Sequence, residues 1–382
     1  MLPKSEWTIN FHGVHFDKQV GFAGYLFGRD CSFTEAVFLP EANADFSGAT
    51  FARLVHFRKA TFSGQANFTC ASFARDRVFL ARETDFFGAT FTYEAFFIDA
   101  TFAGKVYFEG TTFSDETKFA GASFSHLADF THATFSSKAE FDGANFSWVK
   151  FDHATFVKDV YFDSVTFSGE TNFAIATFAA KSSFINAKMK YTTSFDGAKF
   201  LAEPPKFFNA ELHEDTVWPA RDAWPIPKPR GPDNAEDFIR AYERLKLEID
   251  RLKKHEDELD FFALEMQSRR VWLGTWTGLP IALYGILSDY GRSYVWPLLW
   301  LFVTALLPAP AFWLCGHFCI LKSLGLSFAN ALNVFGFRKD FFSESLNSLP
   351  WELDFLAAVQ TILGTMLLFL FGLGVRNRFR MK

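Results

Sequence analysis

The feature that most constrains this chain is a phenylalanine that returns every five or six residues from Phe11 to about Phe208. Through Phe91, Phe97, Phe102, Phe108, Phe113, Phe119, Phe124, Phe130, Phe135, Phe141 and Phe146 the steps alternate six, five, six, five without a miss. Two positions before most of these rings stands a small side chain: Ala95, Ala100, Val106, Thr111, Ala122 or Ala128. A spacing of two puts both side chains on one side of an extended backbone, so each unit reads as a very short strand with small and large residues facing inward. Gly, Ser, Asp and Asn between the units suit tight turns. A chain that turns after every short strand winds into a solenoid whose coils touch only their neighbours.

Stacked coils keep five over five and six over six only if each coil has an even number of faces. Four faces give about 22 residues per coil, about nine coils, and a stack on the order of 40 Å long at ordinary strand spacing. The Phe ladder is then core, because stacked buried rings supply the apolar area that holds such a coil together, and the pattern leaves no Phe spare for a ligand groove. The register slips between Phe38 and Phe46, between Phe79 and Phe86, and through Phe146, Phe151 and Phe156, while Arg77 occupies a small-residue slot. A bulge or loop is expected at each of these places.

Composition fits one repeated slot: Phe occurs 53 times against Tyr 9 and Trp 10. Charge is nearly balanced in both halves, with 19 Lys+Arg against 23 Asp+Glu in residues 1–208 and 19 against 20 in residues 209–382. Neither half has the field of a nucleic-acid binder. Cys31 and Cys70 lie in the repeat, Cys315 and Cys319 in an apolar segment, and the opening MLPKSEWTIN lacks the apolar core of a signal sequence. A reducing cytosol for the N-terminal part is expected, without a disulfide framework.

The strings GATFTYEAFFIDATF, GASFSHLADFTHATF and GETNFAIATF resemble the Phe-rich class of pentapeptide repeats. That resemblance spans roughly residues 11 to 208 and implies a right-handed quadrilateral β-helix over residues 1–208.

Residues 209–232 contain Trp218-Pro219, Trp224-Pro225, Pro227, Pro229 and Pro232 and read as a cap and stiff linker, with the Trp residues covering the last coil. Over residues 233–270 a helix begins with Asp233 as cap and Glu236 three residues on, and carries Phe238, Tyr242, Leu245, Ile249 and Leu252 at helical spacing. The charged run KKHEDE separates it from Leu259, Phe262 and Met266, so either a helical hairpin or one long helix fits. The charges suit a solvated face, and the apolar stripe suits a protein partner or self-association.

Residues 271–294 read as an interfacial segment, because the run Val271 to Leu287 is short and broken by Gly and Pro. Residues 295–382 read as a transmembrane region with spans at about 295–321 and 355–375, in contact with membrane lipids. Arg269, Arg270, Arg292 and the tail Arg376, Arg378, Arg380 and Lys382 outweigh Lys322, Arg338 and Lys339 between the spans. Both termini, and with them the solenoid, are therefore expected on the cytoplasmic side of an inner membrane.

LEMQSRR, SDYGRS and LLFLFGLGVRNRFRMK resemble the C-terminal membrane region of bacterial pentapeptide-repeat membrane proteins, some of which are similar to two-helix ion channels. That likeness implies a pore helix and a T-x-G-[YF]-G filter between the spans. The nearest string, NVFGF from Asn333 to Phe337, lacks the Thr and the second Gly, which argues against a carbonyl filter for potassium.

His317 and Gln360 are polar groups within the spans, and such groups are functional suspects by default; both stand near span ends, where a helix–helix hydrogen bond is the simpler role. Cys315, His317 and Cys319 lack a fourth ligand for a metal. With no phosphate loop, dinucleotide fingerprint, HExxH, nucleophile elbow or CxxC pair, no catalytic residue, cofactor or metal is assigned and an enzyme is not expected. The expected function is a membrane-anchored scaffold presenting the solenoid to a protein partner. A channel or mechanosensitive protein regulated by the solenoid is the alternative, and a DNA-mimicking topoisomerase inhibitor fits poorly with the balanced charge.

Overall fold

The structure is a computed structural model that describes residues 9–73, 83–220, 223–226, 232–251, 255–316, 318–332, 336, 339, 342 and 349–380. The chain divides into two compact units, Met1–Pro227 and Lys228–Lys382.

In the first unit, strands of two to seven residues follow one another from Ile9 to Phe200 and pair in parallel along four ladders. One ladder runs through Ile9, Cys31, Val55, Thr84, Val106, Ala128, Val149, Thr171 and Thr193, which marks eight complete turns. Most partners stand 22 residues apart, as Thr84 with Val106 and Val149 with Thr171. This is a four-sided β-solenoid.

The five–six alternation has a local cause. At two of the four corners the chain makes a hydrogen-bonded turn: Ala36 N–H donates to Phe33 O and Ala49 N–H to Phe46 O, each at 3.0 Å. The third residue of each turn has positive φ, 57° at Glu35 and 63° at Gly48, as a type II turn requires. Such corners take five residues from ring to ring, and the other two corners take six in the regular coils. Glycine fills this position in many coils at no steric cost, but Glu35, His132 and Ile175 hold it with a side chain.

Inside, each Phe is stacked along the axis and meets its neighbours edge-on across the coil. Phe108 lies 4.8 Å from both Phe86 and Phe130 with planes within 7° and 5°. It also faces Phe97 and Phe119 at 5.5 Å and 84° and 83°. The expected ladder, Phe91 to Phe141, is buried throughout, as are the small residues two positions before each ring. The claim that no Phe is spare needs correction. Phe87 and Phe96 follow an inward position and project outward, where the Arg58 guanidinium lies 4.3 Å from the Phe87 ring and the Lys118 ammonium 5.8 Å from Phe96.

The register slips resolve into separate devices. Two extra residues between Val37–Phe38 and Ala44–Asp45 form a loop over Gly64, where a Cβ would stand 2.8 Å from Asn43 Oδ1 and 2.9 Å from Pro40 O. Arg77 and Phe79 lie outside the described residues, but the ladder resumes in register at Thr84, paired with both Val55 and Val106. The missing residue after Phe146 shortens one coil, from Ala128 to Val149. There Asn145–Lys150 runs as one strand through the corner, beside Ser123–Asp129, with a register shift between Phe124 and Leu127. Beyond the eighth turn Trp218 stacks on Phe195 at 5.5 Å and Trp224 on Phe200 at 5.2 Å, closing the core with larger rings.

The second unit is helical: α1 (Pro232–Arg251), α2 (His255–Thr277), α3 (Leu279–Ser288), α4 (Val295–Leu306), α5 (Ala309–Leu314), α6 (Ile320–Ala331) and α7 (Trp351–Arg380). Helices α1 and α2 form the hairpin, with Phe238, Tyr242, Leu245 and Ile249 buried and Tyr242 against Phe261 of α2. The side chain of Asp233 and all of Leu252 lie outside the described residues. Glu236, read as part of a capping box, instead accepts from Arg240 one turn on, at 2.6 Å. The buried side of α2 is Phe261, Leu264 and Ser268 rather than Leu259, Phe262 and Met266. Glu265 is buried with them because Lys246 of α1 and Arg269 bracket its carboxylate at 2.5 and 2.8 Å.

Two helical stretches, Val295–Leu314 and Trp351–Phe379, are long and apolar enough to cross a membrane. The first is α4 and α5 joined at Leu307-Pro308, and it stops short of residue 321 because Ile320 and Leu321 open α6. The second begins at Trp351, earlier than position 355. Helix α3 has 10 residues, too short to span, and packs against α4 and α7. Gly274 breaks α2 with φ 77°.

Candidate functional site

The polar group that the sequence singled out on the second span is the centre of a buried network. Gln360 Nε2 of α7 shares its two N–H groups among three acceptors, Ser327 Oγ at 2.7 Å, Ser327 O at 2.8 Å and Thr304 O at 2.8 Å. Its Oε1 accepts from Asn330 Nδ2 at 3.3 Å. One side chain thereby ties α4, α6 and α7 together. Thr361 adds a bond from its hydroxyl to Asn330 O at 3.2 Å. One turn further, Gly364 lets α7 and α6 touch, since a Cβ there would stand 2.0 Å from Ala331 O.

Gln360 is not at a span end: α7 starts nine residues before it, and the side chain is buried together with Ser323, Ser327 and Asn330. Asn330 Oδ1 is buried without a hydrogen-bond partner. The network is built of amides, hydroxyls and backbone carbonyls, and the interactions it shows are hydrogen bonds. His317 and most of NVFGF, all but Gly336, lie outside the described residues. Cys315 and Cys319 are exposed free thiols, and no metal-holding cluster of His, Cys, Asp and Glu occurs among the described residues.

On the solenoid, one outward ladder neutralises itself. Lys118 Nζ lies 3.4 Å from Glu116 and 4.0 Å from Glu140, Lys138 bonds Glu140, and the Tyr161 ring is flanked by Lys138 at 5.3 Å and Lys181 at 5.4 Å. The hydrogen bond to Glu140 holds the Lys138 ammonium above the usual amine range.

One corner differs. Trp148 stands in the shortened coil opposite Leu127, 56% exposed, and its indole lies across Gly169 of the next coil, where a Cβ would be 2.2 Å from Cδ1 and 2.5 Å from Nε1. Tyr191 occupies the same corner one coil further on, 55% exposed. Leu127 and Trp148, paired across adjacent coils, thus form an apolar ridge on a backbone fixed by the ring stacks, and Tyr191 stands two coils beyond Trp148 with Gly169 and Glu170 between. Sequence reasoning flagged the register gap here but not the ridge. The usable signal was an outward Trp in a corner that is mostly polar or Gly in the adjacent coils, as at Ser125, His126, Gly169 and Glu170.

With this geometry in place, the four-sided coil of buried Phe defines the class of the first unit. Residues 86–134 and 119–166 match the model of pentapeptide repeats, with nine copies, and the same four ladders continue to either side of the matched coils. No curated protein matches the chain.

Proposed function

We propose that this chain is a membrane-anchored scaffold whose pentapeptide-repeat solenoid holds a protein partner in the cytoplasm at a bacterial inner membrane. The observation that carries the reading is the ridge of Leu127 and Trp148, with Tyr191 exposed in the same corner two coils on. Exposed Trp and Tyr on a rigid backbone lose little freedom on binding, and such residues dominate protein interfaces. Val295–Leu314 and Trp351–Phe379 supply the anchor, and the basic residues Arg376, Arg378 and Arg380 in the last turns of α7 favour the cytoplasmic side. Self-association through residues 233–270 belongs to the same reading and would use the outer side of the α1–α2 hairpin, where Leu247 is exposed, because the apolar stripe is inside.

The test is affinity purification of full-length wild type and Trp148→Ala from native membranes. A protein retained by wild type and lost from the variant, with unchanged circular dichroism, supports the scaffold. Identical sets of co-purifying proteins from both contradict it.

A second reading, a channel with the solenoid as regulator, draws on α6, which packs against both α4 and α7 and carries buried Ser327 and Asn330. It predicts conductance in bilayers reconstituted with the purified protein under voltage or tension. A silent bilayer that contains oriented protein removes it.

A further inference from the structure

A second feature of the helical unit is a cavity of about 240 Å³ lined from α2, α3, the turn after α3 and α7. Its apolar part is Leu259, Phe262 and Leu373, and its polar part is Arg376, Asn377 and Tyr284. The walls are held by close packing. The Tyr290 ring lies on Gly285, where a Cβ would come within 2.7 Å of it, and Gly291 leaves room for the Tyr284 hydroxyl, which a Cβ would approach to 2.5 Å. Asn377 Nδ2 donates to Gly291 O at 2.9 Å and pins the turn to α7.

The charges around this cavity are unequally used. Arg292 pairs with Asp260 and Asp289, and Arg269 with Glu265. Arg376 forms no ion pair among the described residues, its one recorded bond being to Asn377 Oδ1 at 3.4 Å, and its side chain is exposed. Glu258 also stands in the wall but forms no ion pair with Arg376. Arg376 follows directly on the apolar run of α7, which ends at Val375. A guanidinium that forms no ion pair among the described residues, beside a tyrosine hydroxyl and above an apolar floor at the end of a span, matches a phosphodiester joined to acyl chains.

We infer that this cavity binds the phosphate headgroup of an anionic membrane phospholipid, with Arg376 as the anion ligand and Leu259, Phe262 and Leu373 receiving the glycerol and first methylenes. The inference rests on the reading that α7 crosses a bilayer. Free phosphate would satisfy Arg376 but leave the apolar floor unused.

Full-length protein in neutral detergent, titrated with phosphatidylglycerol and observed by native mass spectrometry, tests it. Wild type should retain a phosphatidylglycerol adduct. Arg376→Gln should weaken it by about fivefold or more, the loss expected for one well-placed cation. Arg378→Gln, which alters the same tail outside the cavity, should leave it unchanged, and millimolar inorganic phosphate should not displace it. Equal losses in both variants would reduce the effect to tail electrostatics and overturn the site, as would no adduct with wild type. Displacement by phosphate would overturn the lipid assignment. Extraction of native membranes at high pH separates the two levels: protein that stays in the pellet without an adduct sinks only the cavity, whereas protein that washes off sinks the membrane reading itself.

Discussion

Phe108 is held from two directions, by flat stacks above and below and by ring edges across the coil, so its removal opens a cavity that neighbouring backbones in register cannot close. Phe108→Ala should cost about 3–5 kcal/mol in chemical denaturation of the solenoid unit, near the upper end for core truncations. Cys31 occupies a small-residue slot between Ile9 and Val55, and burial, aided by Asp30, raises its thiol to about 12. Cys70 stands exposed at a corner. A thiol reagent at pH 8 should therefore label Cys70 and leave Cys31 untouched until the protein unfolds. At Asp85 burial alone raises the carboxyl, but the His56 hydrogen bond, the Phe87 N–H and Arg58 outweigh it and leave it below its usual value. Its contribution to stability is complete above the ordinary carboxylate pKa and disappears as pH falls through the lowered folded value, so Asp85→Asn should flatten the acid limb of the stability curve.

At the scale of elements, the strands were legible because Phe fills nearly every large inward slot and because period two survives each turn. The coil length followed from the same alternation, as Thr84 over Val106 shows. What the sequence did not reveal was how the gaps are absorbed. A loop over Gly64 and a strand running through the corner at Trp148 both depend on which atoms lie in the adjacent coil, some 22 residues away. The helices were read less well. Their pairing is set by a buried ion, Glu265, which looks like an ordinary polar residue until α1 is placed beside it, and by a buried amide, Gln360, which the sequence singled out but whose partners on α4 and α6 it did not show. Polar knots of this kind fail as units. Gln360→Leu should destabilise the helical unit by about 1–3 kcal/mol, because Ser327 and Asn330 stay buried while losing their partner. Gly364→Leu should be worse, since its side chain meets the backbone of α6, and thermal unfolding in detergent would rank the two.

For the whole chain, the account joins a solenoid unit, Met1–Pro227, to a helical unit, Lys228–Lys382, that carries both candidate spans. The solenoid needs no bilayer, since its rings are buried within its own coils. The helical unit leaves Leu298, Leu299, Phe302, Ile362, Phe369 and other large apolar side chains exposed, a surface suited to lipid and poorly suited to water. The most direct measurement is fractionation of bacterial cells expressing either the full chain or residues 1–227, followed by a carbonate wash of the membranes at high pH. The account predicts that the full chain stays in the membrane pellet and the shorter chain is soluble and β-rich by circular dichroism. A full chain released by the wash, or a shorter chain that is helical or unfolded, would contradict it.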